Sequence, residues 1–276
     1  MPLIALASLK ASPGVTTTCL ALAAAWPAPR RLLIEADPAG GDLGPWLGLP
    51  PAPGLAGLAA AGRHDRGRGL AWRHARELAG GLHLVIAPAG AEQAAACLAA
   101  LTGDAATVIA ALAAGPDPVI ADCGRLDPAS PALAIATRAS LTLLMVRPQV
   151  SDLSRVALRA GALTSAGARL ALLLAPEASS GPAGATYPAA EIASTLEIPV
   201  LAAIPADPRG TAALIALVSD DGDPRKIRKL PLARAAAGLA AALTARQPAA
   251  SAPAPPGLAP ALAHHHAEVN ASDATG

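Results

Sequence analysis

With 276 residues the chain is long enough for one large α/β domain or two small ones. Apolar residues make up 53% of it but aromatics only 1%, with no Phe, so the core must be built from Ala, Leu, Val and Ile. The 21 basic and 20 acidic residues leave a net charge of +1, which excludes a global field toward nucleic acid or anionic lipid; any such contact must be local.

The chain opens on an apolar run, residues 3–8, that reads as a buried strand. It leads into Lys10-Ala-Ser-Pro-Gly-Val-Thr-Thr-Thr18, and an alanine-leucine helix starts near Thr16. Lys10 interrupts the first apolar stretch, so no secretory signal is expected, and Pro13, Gly14 and the threonines break the charge-free stretch 11–29 as a membrane span. A cytoplasmic protein without stable membrane insertion is the expectation. A tight loop between a strand and a helix N-terminus presents backbone N–H groups and the positive end of a helix dipole to an anion. Ser12, Gly14 and Thr16 suit that geometry.

Further strands are predicted at 31–37, 82–88, 118–122, 141–147, 169–175 and 199–204, which makes seven with the first. Helices are predicted to start near Ala91, Ala105, Ser130, Ser151, Pro188 and Pro208, several opened by Ser or Pro as helix starts prefer. This alternation calls for one mostly parallel sheet with helices on both faces. Residues 62–77, with Arg63, Arg66, Arg68, Arg73 and Arg76, read as an exposed excursion, either a solvated face or a docking surface for an acidic partner. A domain at 1–246 followed by a disordered Ala/Pro-rich tail at 247–276 completes the organisation.

Several function classes are excluded. The Gly-x-Gly-x-x-Gly turn of a dinucleotide-binding dehydrogenase is missing after the first strand. Cys19, Cys97 and Cys123 lie far apart without a Cys-x-x-Cys pair, which argues for reduced thiols rather than disulfides or zinc. His264, His265 and His266 fall in the tail, and the other histidines lack metal-ligand spacing.

The loop after the first strand resembles the deviant Walker loop of the MinD/ParA family of P-loop ATPases, which reads Lys-Gly-Gly-x-Gly-Lys-Thr-Thr. Laid together without gaps, Lys10 matches the signature lysine, Gly14 the last glycine, Thr16 the magnesium-binding hydroxyl and Thr17 the second threonine. The family's phosphate lysine stands as Val15, and Pro13 removes a backbone donor. A lost charge-assisted hydrogen bond is worth roughly 1.5 to 3 kcal/mol, so nucleotide affinity is expected to fall about ten- to a hundredfold. Ile34-Glu-Ala-Asp-Pro-Ala-Gly-Gly-Asp42 is similar to the first switch, where Asp37 would orient an attacking water, with Glu35 in place of the first aspartate. Val119-Ile-Ala-Asp-Cys-Gly124 matches the Walker B pattern, and Asp122 would hold magnesium through water. Gly124 would let the second switch approach a γ-phosphate.

The resemblance covers about residues 1–217. It implies a single P-loop domain with ATP and Mg²⁺ as cofactors, a homodimer across which Lys10 reaches the partner's nucleotide, and a partner in a positioning system. Within the family the degenerate loop leans toward the TadZ/CpaE-like components of pilus assembly, with septum and chromosome placement as the other uses. Two alternatives stay open. One is a non-hydrolysing interaction module. The other is a DNA-partition ATPase using the basic stretch 225–229, for which a charged loop before the last helix is the simpler account. Residues 230–245 read as an apolar helix that packs on the fold rather than on lipid.

Overall fold

Period-two alternation decides which way each strand side chain points, and the computed structural model shows it directly. It describes residues 3–10, 13–65, 67, 69–103, 106–176, 186–219 and 222–245. Ser12, Arg66, Arg68 and the tail lie outside these described residues, and residues 1–245 form one compact body.

The strands are β1 (Leu3–Ser8), β2 (Arg31–Glu35), β3 (Arg76–Glu77), β4 (Leu82–Val85), β5 (Val119–Arg125), β6 (Leu141–Val146), β7 (Leu170–Leu174) and β8 (Val200–Ala203). They form one sheet in the order β3-β4-β2-β5-β1-β6-β7-β8, parallel except for the antiparallel edge pair β3–β4. The helices are α1 (Val15–Ala25), α2 (Leu43–Trp46), α3 (Leu55–Ala61), α4 (Leu70–Arg73), α5 (Ala91–Thr102), α6 (Ala106–Ala114), α7 (Leu133–Arg138), α8 (Val150–Ser165), α9 (Ala189–Leu196), α10 (Pro208–Val218), α11 (Pro224–Ile227) and α12 (Pro231–Ala245).

Leu3, Ala5 and Ala7 of β1 face one side together with Leu32, Ile34, Val119 and Ala121, under helices α3 to α9. Ile4 and Leu6 face the other side with Leu33, Ile120 and Leu143, under α1, α10 and α12. Because the central strands are covered on both faces, they read as continuous apolar runs rather than alternating ones. Helix α1 is apolar all round for the same reason, being wedged between the sheet and α10 and α12.

All seven expected strands are present, and the structure adds an eighth. The added strand, β3, is two residues long and carries an Arg and a Glu, so no apolar period marks it; its pairing to β4 is what makes it a strand. Part of the 62–77 excursion is therefore fold rather than loop: Leu70 and Ala71 of α4 are buried, and Trp72 is met edge-on by His83 of β4 at 5.0 Å. Arg30 lies 3.9 Å over the Trp72 ring. Among the described residues, no single helix is long and apolar enough to cross a membrane.

Candidate functional site

Parallel strands deliver their carboxyl ends to one edge of the sheet, and the order β2-β5-β1 sets the loops that follow these three strands side by side there. The register aligns Glu35 of β2 with Asp122 of β5, and Leu6 of β1 with Asp122. Beyond Leu6 the β1–β5 register shifts, so that Ser8 pairs with Arg125 and its carbonyl accepts from the Leu126 amide at 2.9 Å. That irregularity presses the loop after β5 against the start of the phosphate loop. A cleft of about 720 Å³ opens at this edge, bordered by Gly14, Thr16, Thr17, Asp37, Gly124 and Trp46 among others.

Gly14 adopts φ +97°, a left-handed turn that glycine takes without strain, and α1 starts at the next residue. Thr16 and Thr17 thus sit in the first turn of α1, facing the cleft. The Thr18 hydroxyl turns inward, donating to the Gly14 carbonyl at 2.8 Å and to the Met145 sulfur at 3.3 Å, which fastens the helix start to β6.

Three carboxylates cluster beneath the threonines. Asp122 is 1% exposed and accepts from the Thr16 hydroxyl and from the Gly124 amide, the latter at 3.0 Å. Burial outweighs those two hydrogen bonds, and with the charges of Asp37 and Glu35 nearby it pushes the Asp122 carboxyl up to about 7. Asp37 is also raised, mainly by burial, although the Ala39 amide donates to it at 2.8 Å and Arg125 favours its ionised form. Glu35 plays a different part. Its carboxylate accepts from the Leu43 amide at 2.8 Å and the Ala87 amide at 2.9 Å, tying the loop after β2 to the end of β4; burial nevertheless raises its pKa. It is a fastener of backbone, as a buried carboxylate must be when no cation is near.

The Asp37 carboxyl occupies the space where a β-carbon on Gly124 would sit, and Gly124 itself has φ +55°. Gly124 borders the cleft, with its Cα face covered by Asp37. The two switch loops are therefore interlocked, and only glycine allows it.

The phosphate side of the cleft is poorer in cations. Val15 is 5% exposed and packs in the core that contains Cys19 and Met145, leaving aliphatic surface where an ammonium would stand. Lys10 is 40% exposed, and its Nζ lies 3.7 Å from Asp152 at the start of α8, with Arg147 on the other carboxylate oxygen at 3.9 Å. The lysine is thus directed toward the β6 side and is not part of the cleft wall. The wall itself carries Asp37, Asp42 and Asp127 against one guanidinium, Arg125, which pairs with Asp127 at 3.2 Å. Thr16, Thr17 and Asp37 border the cleft, Asp122 lies beneath Thr16, and Lys10 is directed to Asp152.

Sequence reasoning missed Trp46 at the rim, where it stands with Asp42. Trp46 is 38% exposed and belongs to a helix of four residues, too short to show a period, but an isolated Trp in a chain with three was a usable signal. Cys19, Cys97 and Cys123 are free thiols, and burial keeps all three protonated.

The donor set fits the metal end of a magnesium nucleotide. Among the described residues no three His, Cys, Asp or Glu side chains are grouped to hold a metal ion. Magnesium normally takes one or two protein oxygens and completes its shell with water and phosphate, and Thr16 with Asp122 supplies that share.

No family model and no curated protein matches the sequence. Solved structures do. A ParA family ATPase from Chlorobium tepidum TLS superposes with a TM-score of 0.68 at 17% identity, covering 87% of this chain and 98% of that one. The septum site-determining protein MinD from Pyrococcus horikoshii OT3, complexed with Mg-ADP, gives 0.59 at 18% identity over 87% and 95%. The ATP complex of a Cyanothece McdA variant gives 0.61 at 18% identity over 90% and 98%. The fold is that of the ParA and MinD ATPases.

Proposed function

We propose that the chain is a nucleotide-responsive switch of ParA/MinD type that binds magnesium-ATP weakly and turns it over slowly or not at all. The observation that carries this reading is the convergence of Thr16, Asp122 and Asp37 at the first turn of α1, in an open cleft at the carboxyl edge of the sheet. In the bound state magnesium-ATP supplies a γ-phosphate whose presence or loss two loops can sense. Thr16 would hold the ion directly and Asp122 through water, giving up its proton as it does so. Asp37 would orient a water at the phosphate. Because Asp37 is seated on Gly124, any displacement of its carboxylate moves the loops after β2 and β5 together. Phosphate oxygens would be held by the amides of the loop and α1, with Ser12, Gly14, Val15, Thr16 and Thr17 contributing backbone. Lys10, accessible beside Asp152, would serve the partner's site in a homodimer. The output would be recruitment of a protein partner in a positioning, pilus or secretion system.

A second reading is favoured by the aliphatic Val15 and by the excess of carboxylates in the wall: a module that keeps the fold and the dimer but no longer responds to nucleotide. Calorimetric titration with magnesium-ATP, followed by phosphate release, separates the two. Saturation at sub-millimolar to millimolar ATP that is lost in Thr16→Ala supports the switch. The absence of any binding at millimolar ATP sinks it and leaves the module.

A further inference from the structure

The start of α1 gives the cleft aliphatic surface at Val15, and Lys10 turns away to Asp152. A cation reaches the cleft from another strand. Among the described residues that border it, Arg125 alone is positively charged, and it stands at the end of β5.

Side chains alternate along a strand, so a regular β5 would put Arg125 on the face opposite to Asp122. The register is not regular here. Leu6 pairs with Asp122 and Ser8 with Arg125, so β1 advances by two residues while β5 advances by three. The extra residue falls between Asp122 and Arg125, where Gly124 takes φ +55°. An insertion of this kind re-aims the side chain that follows it. Arg125 is thereby set beside Ser8, the last residue of β1, and borders the cleft together with Gly14, Thr16 and Thr17. The placement is anchored one residue on: the Leu126 amide donates to the Ser8 carbonyl at 2.9 Å, and Leu126 is buried.

The guanidinium is placed but not locked. Its Nη2 and Nε lie 3.2 and 3.3 Å from one carboxylate oxygen of Asp127, two residues along the same loop. Both side chains are 58% exposed, and an exposed pair of this kind is worth little and exchanges readily for a better anion. Arg125 also favours the ionised form of Asp37, so its charge is felt at the first-switch carboxylate. A phosphate is such an anion, because a guanidinium is always charged and its planar fork matches two phosphate oxygens at once. Asp37, Asp42 and Asp127 in the same wall repel an anion, and Arg125 is placed to offset them.

On the nucleotide reading of the cleft, on which this depends, we infer that Arg125 is its phosphate-binding cation, holding oxygens of the bound magnesium nucleotide from the loop after β5 where Val15 on α1 cannot. Arg125 follows Gly124, the seat of Asp37. A phosphate held by the guanidinium is therefore bonded to the loop that a switch must move.

Calorimetric titration of the full chain with magnesium-ATP at one ionic strength is the test. Arg125→Ala and Arg125→Gln are each expected to weaken binding about ten- to a hundredfold, the worth of a charge-assisted hydrogen bond. Arg125→Lys keeps the charge and loses the fork, and its affinity should fall between those variants and the unaltered chain. Arg138→Ala removes the same charge from an exposed position of α7 outside the cleft, and should leave affinity within about twofold. Circular dichroism and urea denaturation check that each variant is folded, and the unfolding midpoint should not move, since Arg125 is exposed. Equal affinity of Arg125→Ala and the unaltered chain overturns the role of Arg125 and leaves the nucleotide reading standing. An equal loss in Arg138→Ala also overturns it, by making the effect one of net charge. No binding of magnesium-ATP to the unaltered chain overturns both.

Discussion

The two sides of the cleft are built to different standards. On the β2–β5 side, Asp122 is buried against Thr16 and the Gly124 amide, Asp37 is seated on Gly124, and Glu35 binds the backbone of two loops. On the β1–α1 side, Val15 is buried in the core and Lys10 is turned to Asp152. The first side has the features of a site for a hard cation and a water. The second can hold an anion only through backbone amides and the α1 dipole. Desolvated carboxylates are costly to keep, and burial raises the pKa of all three on the first side.

Four measurements would break or sharpen this contrast. The largest effect is expected at Asp122. Its folded-state pKa of about 7 lies above the unfolded value near 3.8, so between these values the folded chain holds a proton that the unfolded chain has lost. Stability therefore falls as pH rises from about 4 to about 7 and levels off above, and Glu35 and Asp37, also raised, add to the slope in the same direction. Asp122→Asn, which mimics the protonated form, should flatten this slope in urea denaturation and stabilise the metal-free protein at pH 8 by up to about 4 kcal/mol. An unchanged slope would mean that Asp122 is more hydrated than the β5 geometry implies.

Next is Gly124→Ala, expected to cost about 2–4 kcal/mol by placing a methyl group in the seat of Asp37 and a side chain at positive φ. In an Asp37→Ala background the cost should drop to about 1 kcal/mol, the backbone share alone. If the two substitutions are simply additive, the loops are not interlocked.

Val15→Lys restores the missing cation and should tighten magnesium-ATP binding about ten- to a hundredfold, worth roughly 1.5 to 3 kcal/mol. No gain in affinity would mean that a cation at position 15 does not reach a bound phosphate. Lys10→Ala should change stability by less than about 1 kcal/mol, since its pair with Asp152 is half solvated. A larger loss would give Lys10 an architectural role in place of a functional one.

Much of the fold is legible in the sequence. The runs 3–8, 118–122 and 141–147 are apolar because both faces of the central sheet are covered, and a strand buried on both sides cannot hide among polar residues. Thr16, Asp37 and Asp122 are legible too, since each stands at a fixed distance from a strand end. The segment 43–73 is harder. Helices α2 and α4 are four residues long, shorter than the span needed to show a helical period, and each is held by two buried residues, Leu43 and Gly44 in α2 and Leu70 and Ala71 in α4.

The sequence alone therefore settled the class of architecture and singled out loop positions at the strand ends, because hydrophobic period and strand-end motifs are local properties of the chain. Only the tertiary structure decided which partners those residues meet. Lys10 finds Asp152 on a helix far along the chain, Asp37 settles on Gly124 across two strands, and the alanines of α1 pack against α12. Contacts of this kind depend on three-dimensional closure and on the desolvation it imposes, and neither is written in the spacing of residues along the chain.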